Sequence, residues 1–160
     1  MSYVDLHVHS NASDGTLSPE QVVRLAHEAG LSAIALTDHD TTAGVAGAAE
    51  AGAELGLEVV PGIEVSSSFR DHEIHILGLF VDTDSPSLQA ALKEFRHHRD
   101  QRNQEMLGRF DAHGIHLTAE DLCAGNPDTV ITRAHVARAL LAKGLGPDLD
   151  HIFKKYLQYG

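Results

Sequence analysis

The chain has 160 residues, 42% of them hydrophobic, and a formal net charge of -11 at pH 7. This length and apolar content suit one domain with a sizeable core, and no apolar run approaches the ~20 residues that a membrane-spanning helix needs. This negative charge argues against nucleic-acid binding through a broad basic surface. It does not exclude an enzyme that binds the end of a nucleic acid through metal ions. The single cysteine, Cys123, excludes an internal disulfide and favours a cytoplasmic location, and the composition leaves the oligomeric state open.

The chain opens on a predicted buried strand and a turn, residues 3–15. Side chains of a strand alternate between its two faces, so His7 and His9 share one face while Val4 and Leu6 share the other. Two imidazoles at this spacing point the same way and can chelate one ion. Buried ring nitrogens need polar partners, so the pattern favours a metal site over a pair of satisfied core histidines, which is the alternative.

A first helix and a second strand follow. Ser18 is the expected N-cap, Pro19 occupies the first helical position, and Gln21 completes a capping box. Gly30 is expected to end this helix. The short apolar run 32–37 is typical of a fully buried parallel strand, so the chain begins as strand, helix, strand.

The same alternation continues along the chain. An alanine-rich segment, 42–55, predicts a second helix, although three glycines weaken it. A third strand, 57–65, is expected to be interrupted at Pro61-Gly62, and a fourth is expected at 72–80. Strands and helices alternating at this spacing indicate the α/β class, with a parallel sheet or barrel.

The second half of the chain has a helical pattern. The expected helices are 87–113, a segment capped by Thr118, 132–143 and 149–159. No strand pattern follows residue 80 or so. We therefore expect the α/β part over residues 1–84 and a helical insertion subdomain over residues 85–160.

Six potential metal ligands fall on the predicted strands or just after them. They are His7, His9, Asp14, His39, Glu64 and His75. Parallel α/β folds build their sites at the carboxyl ends of strands, and imidazoles with carboxylates suit hard or borderline divalent metals. Taken singly, Asp14 has an alternative role as a turn residue, and Asp38 or Asp40 as a helix N-cap. Together the six predict a metal site in which Glu64 is able to bridge two ions.

Four motifs carry a resemblance to a known family. They are Asp5-Leu6-His7-Val8-His9-Ser10 with Asp14-Gly15, Leu36-Thr37-Asp38-His39-Asp40, Pro61-Gly62-Ile63-Glu64, and Glu73-Ile74-His75-Ile76-Leu77-Gly78. In this order, over the first half of the chain, they resemble the PHP superfamily, named for polymerase and histidinol phosphatase. The resemblance implies a distorted (β/α)7 barrel that holds up to three metal ions, with manganese favoured and iron or zinc as alternatives.

The resemblance also implies how the ligands are shared. The first ion would take His7, His9 and Glu64, the second Glu64 and His75, and the third Asp14 and His39. The implied chemistry is hydrolysis of a phosphate ester by metal-activated water, for which Glu64 fixes the metal spacing. His39 is either a ligand only or also assists proton transfer to the leaving oxygen.

The second half resembles one branch of that superfamily. Residues 131–141 and 153–157 look like the helical insertion of the 3',5'-nucleoside bisphosphate phosphatases and the 5'-to-3' exonucleases that act on short RNA. Arg133 and His135 are then candidates for contacting a substrate phosphate, and the alternative is a solvated helix face. Ala134 departs from the proline usual in this branch.

Two other functions are alternatives to this interpretation. They are a histidinol-phosphate-type phosphatase and a non-catalytic, metal-binding PHP module.

The sequence also departs from the superfamily pattern. Members of the superfamily continue with further strands and ligands, whereas this sequence stops at Gly160. We therefore expect a fragment of a longer protein or, as the alternative, a shortened homologue completed by a partner. If the 160 residues were the whole protein, its ions should bind weakly and its activity should be low.

Overall fold

A computed structural model describes residues 3–70, 72–123 and 126–157. Across these residues, four strands form one sheet in the order β1-β2-β3-β4. They are β1 (Tyr3–Val8), β2 (Leu31–Leu36), β3 (Glu58–Phe69) and β4 (His72–Leu79). β1, β2 and β3 are parallel, as predicted, whereas β4 pairs with β3 in the antiparallel direction. The α/β class is confirmed, with a hairpin that the alternating pattern did not predict.

The predicted interruption of the third strand at Pro61-Gly62 is wrong, because β3 runs through both residues. Pro61 pairs with Leu36 of β2, and the ladder to β4 begins only at the next residue, Gly62. The proline therefore lies in the part of β3 that pairs with β2, before the pairing with β4 begins. Its missing N–H removes no hydrogen bond of the ladder to β4. A Cβ at Gly62 would lie 2.7 Å from Cγ2 of Thr37 and 2.9 Å from the Leu36 carbonyl oxygen. Glycine thus lets the two strands approach.

The expected burial of the first strand is also wrong. β1 lies at the edge of the described sheet, and Val4 and Leu6 are 55% and 40% exposed. The strand has one neighbour, β2, among the described residues, so its side chains are covered less than those of β2. The predicted alternation still holds, because His7 and His9 both reach the same carboxylate on β3.

Two helices pack with the sheet in the first part of the chain. They are α1 (Pro19–Glu28) and α2 (Val45–Leu55). The predicted capping box is confirmed: the Ser18 hydroxyl accepts from the Gln21 N–H, and the Gln21 side chain accepts from the Ser18 N–H. Their core joins α1, α2, β2 and the residue before β3. Its buried members are Val22, Val23, Ala26, Ile34, Leu36, Ala48, Ala51 and Leu57.

The chain divides into two compact units, residues 1–96 and 97–160, and the division falls within one long helix. The helices are α3 (Pro86–Ala112), α4 (Ala119–Cys123), α5 (Arg133–Ala142) and α6 (Leu149–Ile152), followed by a π-helix, Phe153–Leu157. The second unit has its own core, which includes Leu122, Val136, Leu140, Ile152 and Leu157. The described residues after β4 contain no strand, as predicted, and residues 158 and 159 of the last predicted helix lie outside the described residues. Within the described ranges, no helix combines the length and apolarity needed to cross a bilayer.

Gly62→Ala should destabilise the protein by about 1–3 kcal/mol, because the added methyl group overpacks the contact between β2 and β3. The measurement is the free energy of unfolding in urea. Gly108→Ala is the control, since a Cβ at this helical glycine meets nothing within 4 Å and should stabilise by about 0.5–1 kcal/mol. Equal effects of the two substitutions would contradict the close approach at Gly62.

Candidate metal centre

The structure brings all six predicted ligands together. Each comes from a different position along the sheet. His7 lies in β1, His9 and Asp14 follow it, His39 follows β2, Glu64 lies in β3 and His75 in β4. The group therefore depends on the parallel order of β1, β2 and β3 and on the return of the chain through β4.

The carboxylate of Glu64 is the centre of the group. Its Oε2 atom lies 3.1 Å from Nε2 of His7 and 3.0 Å from Nε2 of His9. The same oxygen is 3.5 Å from Nδ1 of His39, and Oε1 is 3.0 Å from Nδ1 of His75. Glu64 is only 4% exposed, so its negative charge depends on these four imidazoles and not on water.

Backbone pairing continues beyond β2 and places His39 beside Glu64. The Glu64 N–H donates to the Asp38 carbonyl oxygen at 3.1 Å, and the Asp40 N–H donates to the Glu64 carbonyl oxygen at 3.0 Å. These two bonds form a parallel bridge between His39 and Glu64. The register of β2 and β3 thus determines which histidine lies beside the central carboxylate.

Asp14 forms a second centre in the loop after β1. Its Oδ1 atom lies 3.0 Å from Nδ1 of His9, and its Oδ2 atom lies 3.5 Å from Nε2 of His39. Gly15 permits the loop to close, because a Cβ there would lie 2.5 Å from the His9 carbonyl oxygen. Asp14 therefore lies among the other predicted ligands, and its role as a metal ligand stays a prediction.

The donor atoms form three overlapping groups. They are His7 with His9 and Glu64, His9 with Asp14 and His39, and His39 with Glu64 and His75. Within each group, one ligand atom per residue lies within 4.8 Å of the others. Neighbouring ligands on a tetrahedral ion are roughly 3.3–3.4 Å apart, given metal–nitrogen bonds of about 2.0–2.1 Å. The observed nitrogen–oxygen distances of 3.0–3.5 Å fit that spacing.

One buried atom also fits a metal site. Nδ1 of His39 is buried and, within the described residues, makes no hydrogen bond of acceptable geometry, although Oε2 of Glu64 lies 3.5 Å away. Buried polar atoms in native proteins usually have partners, and an unsatisfied one calls for a further ligand. An ion in the group of His39 with Glu64 and His75 would satisfy this nitrogen, whereas Nε2 of the same ring faces Asp14 and would serve an ion there.

Burial and opposite charges shift the pKa values of three residues of the site, Glu64, Asp14 and His9. Burial raises the pKa of Glu64, but the hydrogen bond from His7 and the nearby His39 and His9 outweigh it, so this pKa lies below its usual range. Burial also raises the pKa of Asp14, and hydrogen bonds with His39 and His9 bring it far below its usual range. Burial lowers the pKa of His9, but the hydrogen bond with Asp14 and the charges of Asp14, Glu64 and Asp38 together outweigh it, so the pKa of His9 lies above 6.5.

Asp38 and Asp40 are not helix N-caps, because α2 begins at Val45 and its N-cap residue is Gly44. Asp38 is 2% exposed; burial raises its pKa, and hydrogen bonds from Ser10 and Ser13 oppose that rise. The two serines were not among the predicted site residues. Their signal was the presence of hydroxyls between His9 and Asp14, next to the expected ligands.

Asp40 joins β3 to the segment after β2. It adopts a left-handed backbone conformation, with φ of 51°, which is uncommon for a residue other than glycine. Its Oδ1 atom accepts from the Ser66 N–H at 2.9 Å, and its carbonyl oxygen accepts from Nη1 of Arg96 at 3.0 Å. These bonds stabilise the unusual backbone and hold the His39 segment against β3.

The predicted substrate residues lie at the start of α5 in the second unit. Arg133 is partly exposed, and His135 is 3% exposed, so the alternative of a solvated face is wrong for His135. Nδ1 of His135 accepts from the Thr132 N–H at 3.1 Å and completes a capping box. The role of both residues toward a phosphate stays a prediction.

Comparison with known proteins defines the family. The PHP domain matches residues 5–159. The chain belongs to the PHP domain family. The family resemblance that the four motifs indicated is therefore confirmed, and the match extends over almost the whole chain.

Two curated relatives match nearly the whole of this chain. The chain is 40% identical over 162 residues to the 3',5'-nucleoside bisphosphate phosphatase of Chromobacterium violaceum, covering 100% of this chain and 56% of that protein. It is also 40% identical over 161 residues to the 5'-3' exoribonuclease Rnm of Escherichia coli, covering 98% and 54%. This PHP chain thus spans about half the length of the curated relatives it matches.

A solved structure confirms the fold. A candidate metal-dependent phosphoesterase from Bifidobacterium adolescentis superposes with a TM-score of 0.88 at 32% identity, covering 97% of this chain and 55% of that chain. The predicted architecture, part of a PHP barrel with additional helices, is confirmed by this match.

The raised pKa of His9 predicts a pH dependence in the metal-free PHP chain. Because the folded pKa lies above 6.5, the stability due to protonated His9 is complete below pH 6.5 and is lost as pH rises through the folded pKa. The difference in free energy of unfolding between wild type and His9→Gln should therefore shrink as the pH rises above 6.5. Urea denaturation with a chelator measures it.

His27→Gln is the matched control, because His27 is exposed on α1. The difference in free energy of unfolding between His27→Gln and wild type should change less over the same pH interval. A difference for His9→Gln that stays constant with pH would show that Asp14 does not stabilise the protonated ring.

Proposed function

We propose that this PHP protein is a metal-dependent phosphoesterase that acts on nucleotides. The observation that carries the proposal is the convergence of four imidazoles on the buried Glu64 carboxylate, with Asp14 beside it. The relatives named as a nucleoside bisphosphate phosphatase and an exoribonuclease support this substrate class. The proposed substrates are a 3',5'-nucleoside bisphosphate or the 5' end of a short RNA.

The three overlapping donor groups support up to three divalent ions. His7, His9 and Glu64 would hold the first, Glu64 and His75 the second, and Asp14 and His39 the third. Manganese is the proposed metal, with iron and zinc as alternatives, because imidazole and carboxylate donors suit all three. When bound, such ions lower the pKa of a water molecule and stabilise charge on phosphoryl oxygens.

Two residues of the cluster have proposed catalytic roles. Glu64 presents its two oxygens to different imidazoles, so it fixes the spacing between neighbouring metal positions. His39 is held between Asp14 and Glu64, and it is proposed to assist proton transfer to the leaving oxygen in addition to ligation.

The second unit is proposed to bind substrate phosphate. Arg133 offers a permanently charged, planar guanidinium at the first position of α5, which suits a phosphate oxygen pair. His135 completes this proposed pair, with its Nδ1 already engaged in capping α5. The net charge of -11 makes local contacts of this kind a better route to a nucleotide than a broad basic surface. A cytoplasmic location stays a prediction from the single cysteine.

A substrate panel tests the proposed activity. Purified protein supplied with Mn²⁺ should release phosphate from a nucleoside 3',5'-bisphosphate or mononucleotides from short RNA faster than from histidinol phosphate. Removal of metal with a chelator should abolish release, and added Mn²⁺ should restore it. Bound metal without hydrolysis of any of the three substrates would contradict the enzymatic proposal and favour a non-catalytic module.

Glu64→Gln should lose metal affinity and activity by at least about tenfold to a hundredfold, because the neutral amide no longer balances the four imidazoles. Metal content after equilibrium dialysis and phosphate release measure the two effects. Glu58→Gln is the matched control, since Glu58 is an exposed glutamate on the same strand. Wild-type metal content in Glu64→Gln would contradict the assignment of Glu64 as a metal ligand.

Arg133→Ala should lower kcat/KM by about ten- to a hundredfold without changing bound metal, because a charge-assisted hydrogen bond to phosphate is worth about 1.5–3 kcal/mol. Steady-state kinetics and metal analysis are measured together. Arg109→Ala, at an exposed position of α3, is the control. Wild-type kinetics in Arg133→Ala would return this residue to a structural or surface role.

A further inference from the structure

A buried carboxylate outside the ligand set anchors the loop after β1. Oδ1 of Asp38 accepts from the Ser10 N–H at 2.8 Å and from the Ser13 hydroxyl at 2.6 Å, and Oδ2 accepts from the Ser10 hydroxyl at 2.6 Å. Both serines are fully buried. The three hydrogen bonds use both oxygens and compensate for the burial of the charge. They tie the loop that carries Asp14 to the residue before His39.

Ser13 connects this anchor to His9. Its hydroxyl hydrogen is committed to Asp38, so the oxygen faces Nδ1 of His9, 3.3 Å away, as an acceptor. Oδ1 of Asp14 is a second acceptor, 3.0 Å from the same nitrogen. An unprotonated Nδ1 would place its lone pair against two oxygen lone pairs. Nε2 faces one acceptor, Oε2 of Glu64, and Nδ1 faces two, so the network favours the proton of the neutral ring on Nδ1 and leaves Nε2 to an ion.

The opposite nitrogen of His9 then has a lone pair available. Nε2 lies 3.0 Å from Oε2 of Glu64, next to Nε2 of His7, which is 3.1 Å from the same oxygen. A ligating histidine ordinarily donates its other N–H to a carboxylate or similar acceptor, and this partner fixes the ring orientation. In this chain the two acceptors are Asp14 and Ser13, and Asp38, in the segment after β2, orients the Ser13 hydroxyl.

We propose that Ser13, with its hydroxyl oriented by Asp38, is a positioning residue that holds His9 in the Nδ1–H form. The inference rests on the proposed metal centre. His9 thereby presents Nε2 to the ion shared with His7 and Glu64. In the group with Asp14 and His39, it acts as a hydrogen-bond donor and not as a ligand. Oδ2 of Asp14, 3.5 Å from Nε2 of His39, is the oxygen that remains for the third ion.

Two readouts on Ser13→Ala test this assignment. Titration with Mn²⁺, with free ion followed by its electron paramagnetic resonance signal, should show about ten- to a hundredfold weaker binding at one site. Ring ¹⁵N and ¹³C chemical shifts of His9 in the Zn²⁺-loaded, diamagnetic protein should show a protonated Nδ1 and a metal-bound Nε2 in the wild type. The ring signals of Ser13→Ala should broaden or shift, because one of the two acceptors is gone.

Two further variants separate positioning from general destabilisation. Ser32→Ala removes an exposed hydroxyl that donates to the Tyr3 carbonyl oxygen, at the opposite ends of β1 and β2 from the site, and should bind Mn²⁺ as the wild type does. Asp38→Asn should weaken binding less than Ser13→Ala. The fixed Ser10 N–H selects the amide oxygen for the Oδ1 position, and that oxygen still accepts from Ser13.

The outcomes are distinguishable from those of the proposed function. A metal-bound Nδ1 in the wild type, or unchanged Mn²⁺ affinity in Ser13→Ala, would overturn the positioning role while leaving the phosphoesterase proposal intact. Wild-type protein that binds no Mn²⁺ would overturn both. Normal hydrolysis kinetics with an altered Mn²⁺ affinity in Ser13→Ala would support the positioning role, because it acts through metal binding.

Discussion

The buried carboxylate of Glu64 is the constraint on which the site depends. Burial alone would favour its neutral form, yet the surrounding imidazoles keep its pKa below the usual range. An ionised group with 4% exposure is tolerated only where opposite charges or donors surround it. β1, the segment after β2, and β4 supply those groups, so the electrostatics of the site depend on the order of the strands in the sheet.

The part of the site that could be predicted follows from local rules. Period-two alternation placed His7 and His9 on one face, and the carboxyl ends of parallel strands placed His39 near Glu64. The N-cap of α1 was predictable for the same reason, because its signal lies within a few residues of sequence. Each of these features depends on neighbours along the chain or on the common direction of adjacent strands.

The features that could not be predicted depend on contacts between distant residues. Pro61 is normally a strand breaker, but here it occupies the one part of β3 that precedes the ladder to β4. Burial of β1 depends on which strands flank it, and alternation carries no information about flanking strands. Asp40 adopts its left-handed conformation because Ser66 and Arg96 bind it, and both lie far away in sequence.

His39 shows how these distant contacts determine the ligand geometry. The residue before it, Asp38, binds the loop after β1, and the residue after it, Asp40, binds β3. Its ring therefore lies where two independent attachments meet, between Asp14 and Glu64. His9, His39 and Glu64 each belong to two of the three donor groups, so a shift of any one of them changes two groups at once. The three proposed metal positions are consequently coupled through these shared side chains.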